Sequence, residues 1–476
     1  MARPEFDIVV IGGGAGGLVV AAGGASLGAK VALVEKHKMG GDCLWYGCVP
    51  SKTLLKSAKI AHLMRTANDY AIAAHDPVPQ IADVMERVAG VIRGIEPNDS
   101  PERFRGLGVD VTFGDGKFTG PDCFEVDGRK LRGRSFVIAT GSRPGVPPIP
   151  GLSDTPYLTN ETVFGLREQV PSLLVVGAGP IGCELAQAFV RLGAKVTIVD
   201  VAAQLLPKED ADLAQVVKRQ MEKDGIEFVM NATIQRVEGT KGDIRMFVKV
   251  KDGAERTLAA THLLIAAGRK ANIEGLGLEA AGVQVDKGKI VSDANLRTTN
   301  PRIWVCGDVA GGLQFTHVAG HHAGVLLRET IFRMGWAKPS THVPWCTYTD
   351  PELSRIGLSE TEAKASGQPY KVYRFGFDEL DRARAEGETE GFAKVVTDPK
   401  GKILGAAIVG PHAGEIIHEY VLAVNKGMNL KELAGIVHIY PTLSEINKRV
   451  ADQRLKESLT PSSKAWIQRI FGLQGV

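Results

Sequence analysis

The chain of 476 residues is 44% hydrophobic and 23% charged, with a formal charge of +3. That make-up suits a globular protein of about two to four domains, and so neutral a balance gives no reason to expect nucleic acid or an anionic membrane as partner. No apolar run reaches the roughly 18–20 residues of a spanning helix.

The N-terminal run FDIVVIGGGAGGLVVAAGG lacks a basic leader and carries Asp7, so it does not read as a secretory signal. A reducing, cytoplasmic compartment is expected, in which structural disulfides are rare. Within that run begins a repeat. DIVVIGGGAGGLVVAAGGASLGAKVALVE (7–35) and SLLVVGAGPIGCELAQAFVRLGAKVTIVD (172–200) both read apolar strand, GxGxxG, small-residue helix, second strand, acid. The spacing from Gly12 to Glu35 matches that from Gly177 to Asp200. One GxGxxG is a weak signal, whereas two in this context point to two dinucleotide-binding βαβ units. Gly12 and Gly177 would make the tight turn. Gly14 and Gly179 would let the backbone approach a pyrophosphate at the helix N-terminus, and Gly17 and Gly182 would let each helix lie close on its sheet. Glycine-rich packing without a nucleotide is the alternative.

Next comes GGDCLWYGCVPSK (40–52), which holds Cys43 and Cys48, two of only six cysteines. Five positions apart, they would lie on different faces of a regular helix. A bond between them needs a distorted turn at a helix start, which Gly47 and Pro50 can provide. A helix N-terminus with Lys52 nearby favours thiolate. Zinc ligation and inert packing are the alternatives, although no second ligand pair follows at metal spacing. Cys123, Cys183, Cys306 and Cys346 are isolated and read as packing residues.

FVIATGSRP (136–144), LLIAAGRKAN (263–272) and RIWVCGDVAGG (302–312) are apolar strands that each run into glycine. After about residue 340 the texture changes. GFAKVVTDPKGKILGAAIVG (391–410) reads as two strands around a DPKGK turn, followed by an amphipathic helix, GEIIHEYVLAVNKG. A separate C-terminal α+β domain is expected. The tail SSKAWIQRIFGLQGV puts Trp466, Ile467, Ile470 and Phe471 on one helical face, expected to dock on the protein's own body, with membrane contact the lesser alternative.

With two nucleotide units and CxxxxC after the first, the chain resembles the FAD-dependent pyridine nucleotide–disulfide oxidoreductases, a family that includes lipoamide dehydrogenase, glutathione reductase and the core of mercuric reductase. The resemblance runs from Asp7 to about Gln453 and is carried by GGDCLWYGCVPSK, ATGSRP, GAGPIGCE, AAGRKAN, WVCGDVA, YTDPELSRIGL and HIYPTLSE. It implies an α/β fold of two Rossmann-like dinucleotide-binding domains plus a C-terminal α+β dimerisation domain. The expected division is 1–150 and 271–342 for the two parts of the FAD domain, 151–270 for the NAD(P) domain, and 343–476 for the dimerisation domain and tail.

The same resemblance implies FAD on the first unit, with Glu35 at the adenosine ribose. Gly41, Gly116, Thr140, Gly141, Ser142, Asp308 and Ala319 would line the rest. A nicotinamide nucleotide would take the second unit, bordered by Gly268. Cys48 would face the flavin and Cys43 would meet the acceptor, while Lys52 sits near the flavin, paired with Glu184. A homodimer would complete each active site across its interface. Asp200 suits a free ribose 2′-OH and repels a 2′-phosphate, and VAAQLL after it supplies no arginine, so NADH is expected over NADPH.

The chain departs from the family in one place. Where lipoamide dehydrogenase and glutathione reductase carry HPTxxE, this sequence reads YPTLSE. Tyr440 stands at the position of the base, Glu445 at that of its orienter, and His438 lies two residues earlier. A phenol with pKa near ~10 is a poor base at pH 7, whereas an imidazole lies near ~6.5. Loss of a general base typically costs about 10²–10⁴ in rate, and two residues along an extended segment displace His438 by roughly 6–7 Å. Mercuric reductase dispenses with that histidine but has a C-terminal cysteine pair, and here no cysteine follows Cys346. A small-molecule acceptor is expected, a disulfide of the dihydrolipoamide type. Soft metal ions, quinones or reactive oxidants are the first alternative, and a flavoprotein sensor subunit the second.

Overall fold

The computed structural model describes residues 4–251 and 253–475. The ends of the first and last expected domains, 1–3 and 476, lie outside the described residues. Two parallel sheets are built alike. In the first, Asp110–Phe113, Val31–Glu35, Phe6–Ile11, Arg129–Ile138 and Ile303–Val305 run side by side in parallel. In the second the order is Glu227–Val229, Lys195–Val199, Ser172–Val176 and His262–Ile265, again parallel. The central strands are apolar over residues 8–11 and 173–176 because both faces are covered there: Ile8, Val9 and Val10 are buried, as are Leu173, Leu174 and Val175.

The halves match in detail. Gly12 N–H donates to the Val34 carbonyl at 2.8 Å, and Gly177 N–H to that of Val199 at 3.0 Å. Each glycine-rich turn therefore opens at the C-terminal edge of a central strand, where such sheets bind ligands. A short antiparallel pair, Ser142–Pro144 with Arg269–Ala271, ties the two units together.

The C-terminal sheet is antiparallel, in the order Trp345–Thr347, Glu352–Gly357, Ile403–Gly410, Phe392–Thr397, Lys371–Gly376. The hairpin read from DPKGK is present, and helices Ala413–Ile416 and His418–Lys426 follow it. One face packs on its own helices through Tyr420, Ile446 and Val450, while Leu353, Phe392 and Val409 join the core of the second nucleotide unit.

The expectation for the tail fails. Helix Pro461–Phe471 buries none of its residues, and Trp466, Ile470 and Phe471 are exposed. Its apolar face is therefore not docked on this chain. Among the described residues, no helix is long and apolar enough to cross a membrane.

Candidate active site

The glycine pattern has a distinct physical reason at each position. Gly12 and Gly177 have φ of +108° and +112°, and a Cβ on either would run into the carbonyl of Ala139 or Ala266. A Cβ at Gly17 or Gly182 would overlap the carbonyl oxygen of Gly12 or Gly177. The middle glycine is different. At Gly14 the nearest atom is the Gly41 Cα at 3.8 Å, and at Gly179 nothing lies within 4 Å. No protein atom requires glycine there, so the space fits a pyrophosphate lying against the helix N-terminus.

The acids close the same turns. Glu35 accepts from Gly13 N–H at 2.6 Å and His37 N–H at 2.7 Å. Asp200 accepts from Ala178 N–H at 2.6 Å and Ala202 N–H at 2.7 Å. Each carboxylate is held at the lip of its turn with lone pairs left over for ribose hydroxyls.

Around the first turn, Thr140 Oγ1 donates to the Asn272 carbonyl at 2.6 Å, and Ser142 Oγ donates to Asp308 at 2.5 Å. Burial raises the Asp308 carboxyl above the usual range. Ala319 packs beneath Gly16 and Gly307, and Gly41 is pressed against Gly14. Gly268 has φ of +118° and accepts from Gly145 N–H at 2.8 Å. At Gly116 a Cβ would strike the Phe124 ring, so packing also requires glycine there.

Arg269, unassigned from sequence, joins the set by donating to Ser142 Oγ at 2.7 Å and pairing with Asp42 at 3.2 Å. The only sequence signal was a basic residue directly after the glycine of AAGRK.

Cys43 lies in the short helix Gly41–Trp45, and Cys48 opens the long helix Cys48–Arg65, with the break at Tyr46 and Gly47. That break is the distortion the spacing demands. Both are free thiols here. The Cys48 thiol falls from its ordinary 9.0 to about 6, first through its hydrogen bond with Cys43, then through Thr316 and the Lys52 charge, with burial opposing. Cys43 moves the opposite way, pushed up by the Cys48 bond and by burial. One proton is thus shared unequally: near neutral pH Cys48 is the thiolate and Cys43 the thiol.

Thr316 was also missed. Its Oγ1 lies 3.3 Å from Cys48 Sγ at the start of helix Thr316–Thr330. Thr316→Val is expected to raise the Cys48 midpoint by about one unit, read from thiolate ultraviolet absorbance of the reduced protein against pH. An unchanged midpoint would remove the hydroxyl from the account.

Lys52 Nζ donates to Glu184 Oε2 at 2.7 Å and lies 4.4 Å from the Tyr348 ring centre. Glu184, buried, takes the Tyr348 N–H at 2.9 Å on its other oxygen. Of the isolated cysteines, Cys123, Cys183 and Cys306 are buried. Cys346 is partly covered, and burial holds its thiol well above its ordinary value.

The C-terminal segment rearranges the expected partners. Tyr440 is exposed and its hydroxyl donates to Asp381 at 3.0 Å, a bond that raises the phenol's pKa further. His438 has Nε2 2.9 Å from Glu419 and Nδ1 3.1 Å from the Ile436 carbonyl. Glu445, the expected orienter, pairs instead with Arg449 one helical turn on, at 2.7 Å. Its position at the start of helix Glu445–Glu457 makes that i,i+4 contact the nearer choice. Glu419, unmarked by any motif, is the acid that holds His438.

Two dinucleotide folds facing a poised dithiol define a flavin- and nicotinamide-dependent redox enzyme. The chain belongs to the pyridine nucleotide–disulphide oxidoreductase family: residues 6–323 match that family's model, and residues 343–451 match the model of its dimerisation domain. It is therefore an NAD(P)H-dependent flavoprotein disulfide oxidoreductase that uses FAD. It is 35% identical to a mercuric reductase of Bacillus cereus over 93% of this chain and 70% of that protein. To a dihydrolipoyl dehydrogenase of Bacillus subtilis it is 34% identical over 93% of this chain and 96% of that one. Among solved structures, the Cu(II) complex of the HOCl-induced flavoprotein disulfide reductase RclA from Escherichia coli superimposes with a TM-score of 0.83, at 28% identity, covering 95% of this chain and all of that one.

Proposed function

We propose that this protein is a homodimeric enzyme that takes electrons from NADH and delivers them through Cys48 and Cys43 to a thiophilic acceptor, a soft metal ion or an electrophilic oxidant. FAD, bound on the first turn, supplies the step that converts hydride from the nicotinamide into an electron pair for the disulfide. Glu35, Asp308 and the Gly12–Gly14 turn would hold it, and Asp200, an acid that would accept from a ribose 2′-OH and repel a 2′-phosphate, favours NADH. NADH and the Cys43–Cys48 disulfide would give NAD⁺, the Cys48 thiolate and the Cys43 thiol. Transfer of the pair to an acceptor would restore the disulfide and release one proton.

The observation that carries this choice is the phenol of Tyr440 at the motif's base position, bonded to Asp381. A phenol is a poor base near neutral pH, and the bond to Asp381 raises its pKa further, while His438 lies off the motif position and contacts Glu419 and the Ile436 carbonyl. A soft metal or an oxidant needs only the Cys48 thiolate and the neighbouring Cys43. Similarity to a mercuric reductase and to an HOCl-induced reductase supports the same choice. The second reading is dihydrolipoamide oxidation, favoured by the His438–Glu419 pair and by the dihydrolipoyl dehydrogenase similarity.

Anaerobic stopped-flow reduction of the bound flavin separates the two. NADH is expected to reduce it fast, and dihydrolipoamide about 10²–10⁴-fold more slowly. Comparable rates would put the dihydrolipoamide reading first.

A further inference from the structure

Helix Pro461–Phe471 is well made yet buries none of its residues. Thr460 caps it by accepting from Ser463 N–H at 3.1 Å, Pro461 occupies its first turn, and Gly472 ends it at a φ of +60°. It lies beyond residue 451, where the match to the dimerisation domain stops. At roughly 100° per residue, Trp466, Ile467, Ile470 and Phe471 fall on one face, and Lys464 and Arg469 on its two borders. Trp466 is 64% exposed, Phe471 68%, and Leu473 just past the helix 55%. No acid occurs from Ser458 to the end of the sequence. Among the described residues neither Lys464 nor Arg469 is in an ion pair, whereas Lys371 and Arg454 both pair with Glu457.

We infer that this helix lies in the surface of an anionic lipid bilayer and tethers the enzyme there. Trp, Ile and Phe favour the boundary between headgroups and acyl chains, and cations on both borders of the face can reach up to lipid phosphates. Eleven residues rise about 16 Å, too short to cross a bilayer but enough to lie along its surface. A protein groove would also accept such a face. The cations on both borders of the face, with no acid in the segment to offset them, are what favour a negatively charged surface. The inference is independent of which acceptor the dithiol serves.

The test is co-sedimentation of the FAD-loaded full-length protein with vesicles of phosphatidylglycerol and phosphatidylcholine. The protein is expected to pellet with them, and to bind at least tenfold less to phosphatidylcholine alone or in high salt. Trp466→Ala combined with Phe471→Ala, and separately Lys464→Glu combined with Arg469→Glu, should each lose at least tenfold of the binding while NADH oxidation is unchanged. The inference is overturned if the unaltered protein stays in the supernatant with every vesicle, or if both double variants pellet like it. It is also overturned if the apolar variant only lowers the oligomeric mass in solution, which would assign the face to a second copy.

Discussion

Cys43→Ser is expected to stop steady-state turnover with thiophilic acceptors, by about 10³-fold or more, while FAD stays bound and NADH still reduces it in a single turnover. The separation follows from geometry. Cys48 stands against Thr316, at the start of the helix whose Ala319 packs under Gly16 and Gly307, so Cys48 borders the first dinucleotide turn. Cys43, in the preceding short helix, belongs to the other side of the break. Without Cys43 the electron pair reaches no disulfide, yet nothing in the glycine turns or at Glu35 has changed. Stopped-flow reduction beside steady-state assays measures both halves at once. Full turnover in the variant would show that electrons leave the flavin without passing through the pair.

The behaviour of the pair with pH follows from the same contacts. Cys48 falls to about 6 because a partner stabilises its charged form. The thiolate is therefore present above that value and lost as pH drops through it, and acceptor reduction should decline over the same window. Cys43→Ala takes away the largest of those contacts, so the Cys48 midpoint should climb back toward its ordinary 9.0.

What was legible in the sequence is what local backbone chemistry dictates. Gly12, Gly17, Gly177 and Gly182 could be placed because a tight turn and a close helix admit no Cβ, whatever the rest of the chain does. The i,i+5 spacing of Cys43 and Cys48 similarly forced a broken helix. Contacts that depend on side-chain reach across the fold were not legible. Arg269 meets Ser142 and Asp42 only because two short strands pair between the units. Gly116 was read as a cofactor glycine, and the ring of Phe124 gives it a packing reason that the sequence did not show. Glu419 lies 19 residues before His438, on a separate helix, whereas Glu445, at the motif's spacing, found Arg449 nearer.

A second large effect is expected from Arg191→Met, at the far end of helix Pro180–Arg191. Arg191 donates to Asp224 at 2.8 Å and to Asp350 at 2.7 Å, and both Arg191 and Asp224 are almost wholly covered. Removing one partner of a buried pair leaves the other charge without compensation, typically a loss of about 3–5 kcal/mol. Gln187 and Gln220 also donate to Asp224 and would soften that penalty, so the lower end is expected. The consequence extends beyond stability. Glu184, Gln187 and Arg191 form one row along this helix, and all three grip the segment 348–350: Glu184 takes the Tyr348 N–H, Gln187 bonds Asp350 N–H and carbonyl, and Arg191 holds the Asp350 carboxylate. The first of the row also holds Lys52, four residues beyond Cys48. A single helix thus carries the nicotinamide turn at its start and, along its length, fixes both the dithiol helix and the C-terminal sheet. Arg191→Met should lower the melting temperature of the FAD-loaded protein, whereas Arg93→Met, whose exposed pair with Glu86 contributes at most about 1 kcal/mol, should change it little. If the two variants melt alike, the row along the second nucleotide helix is not what holds the domains together.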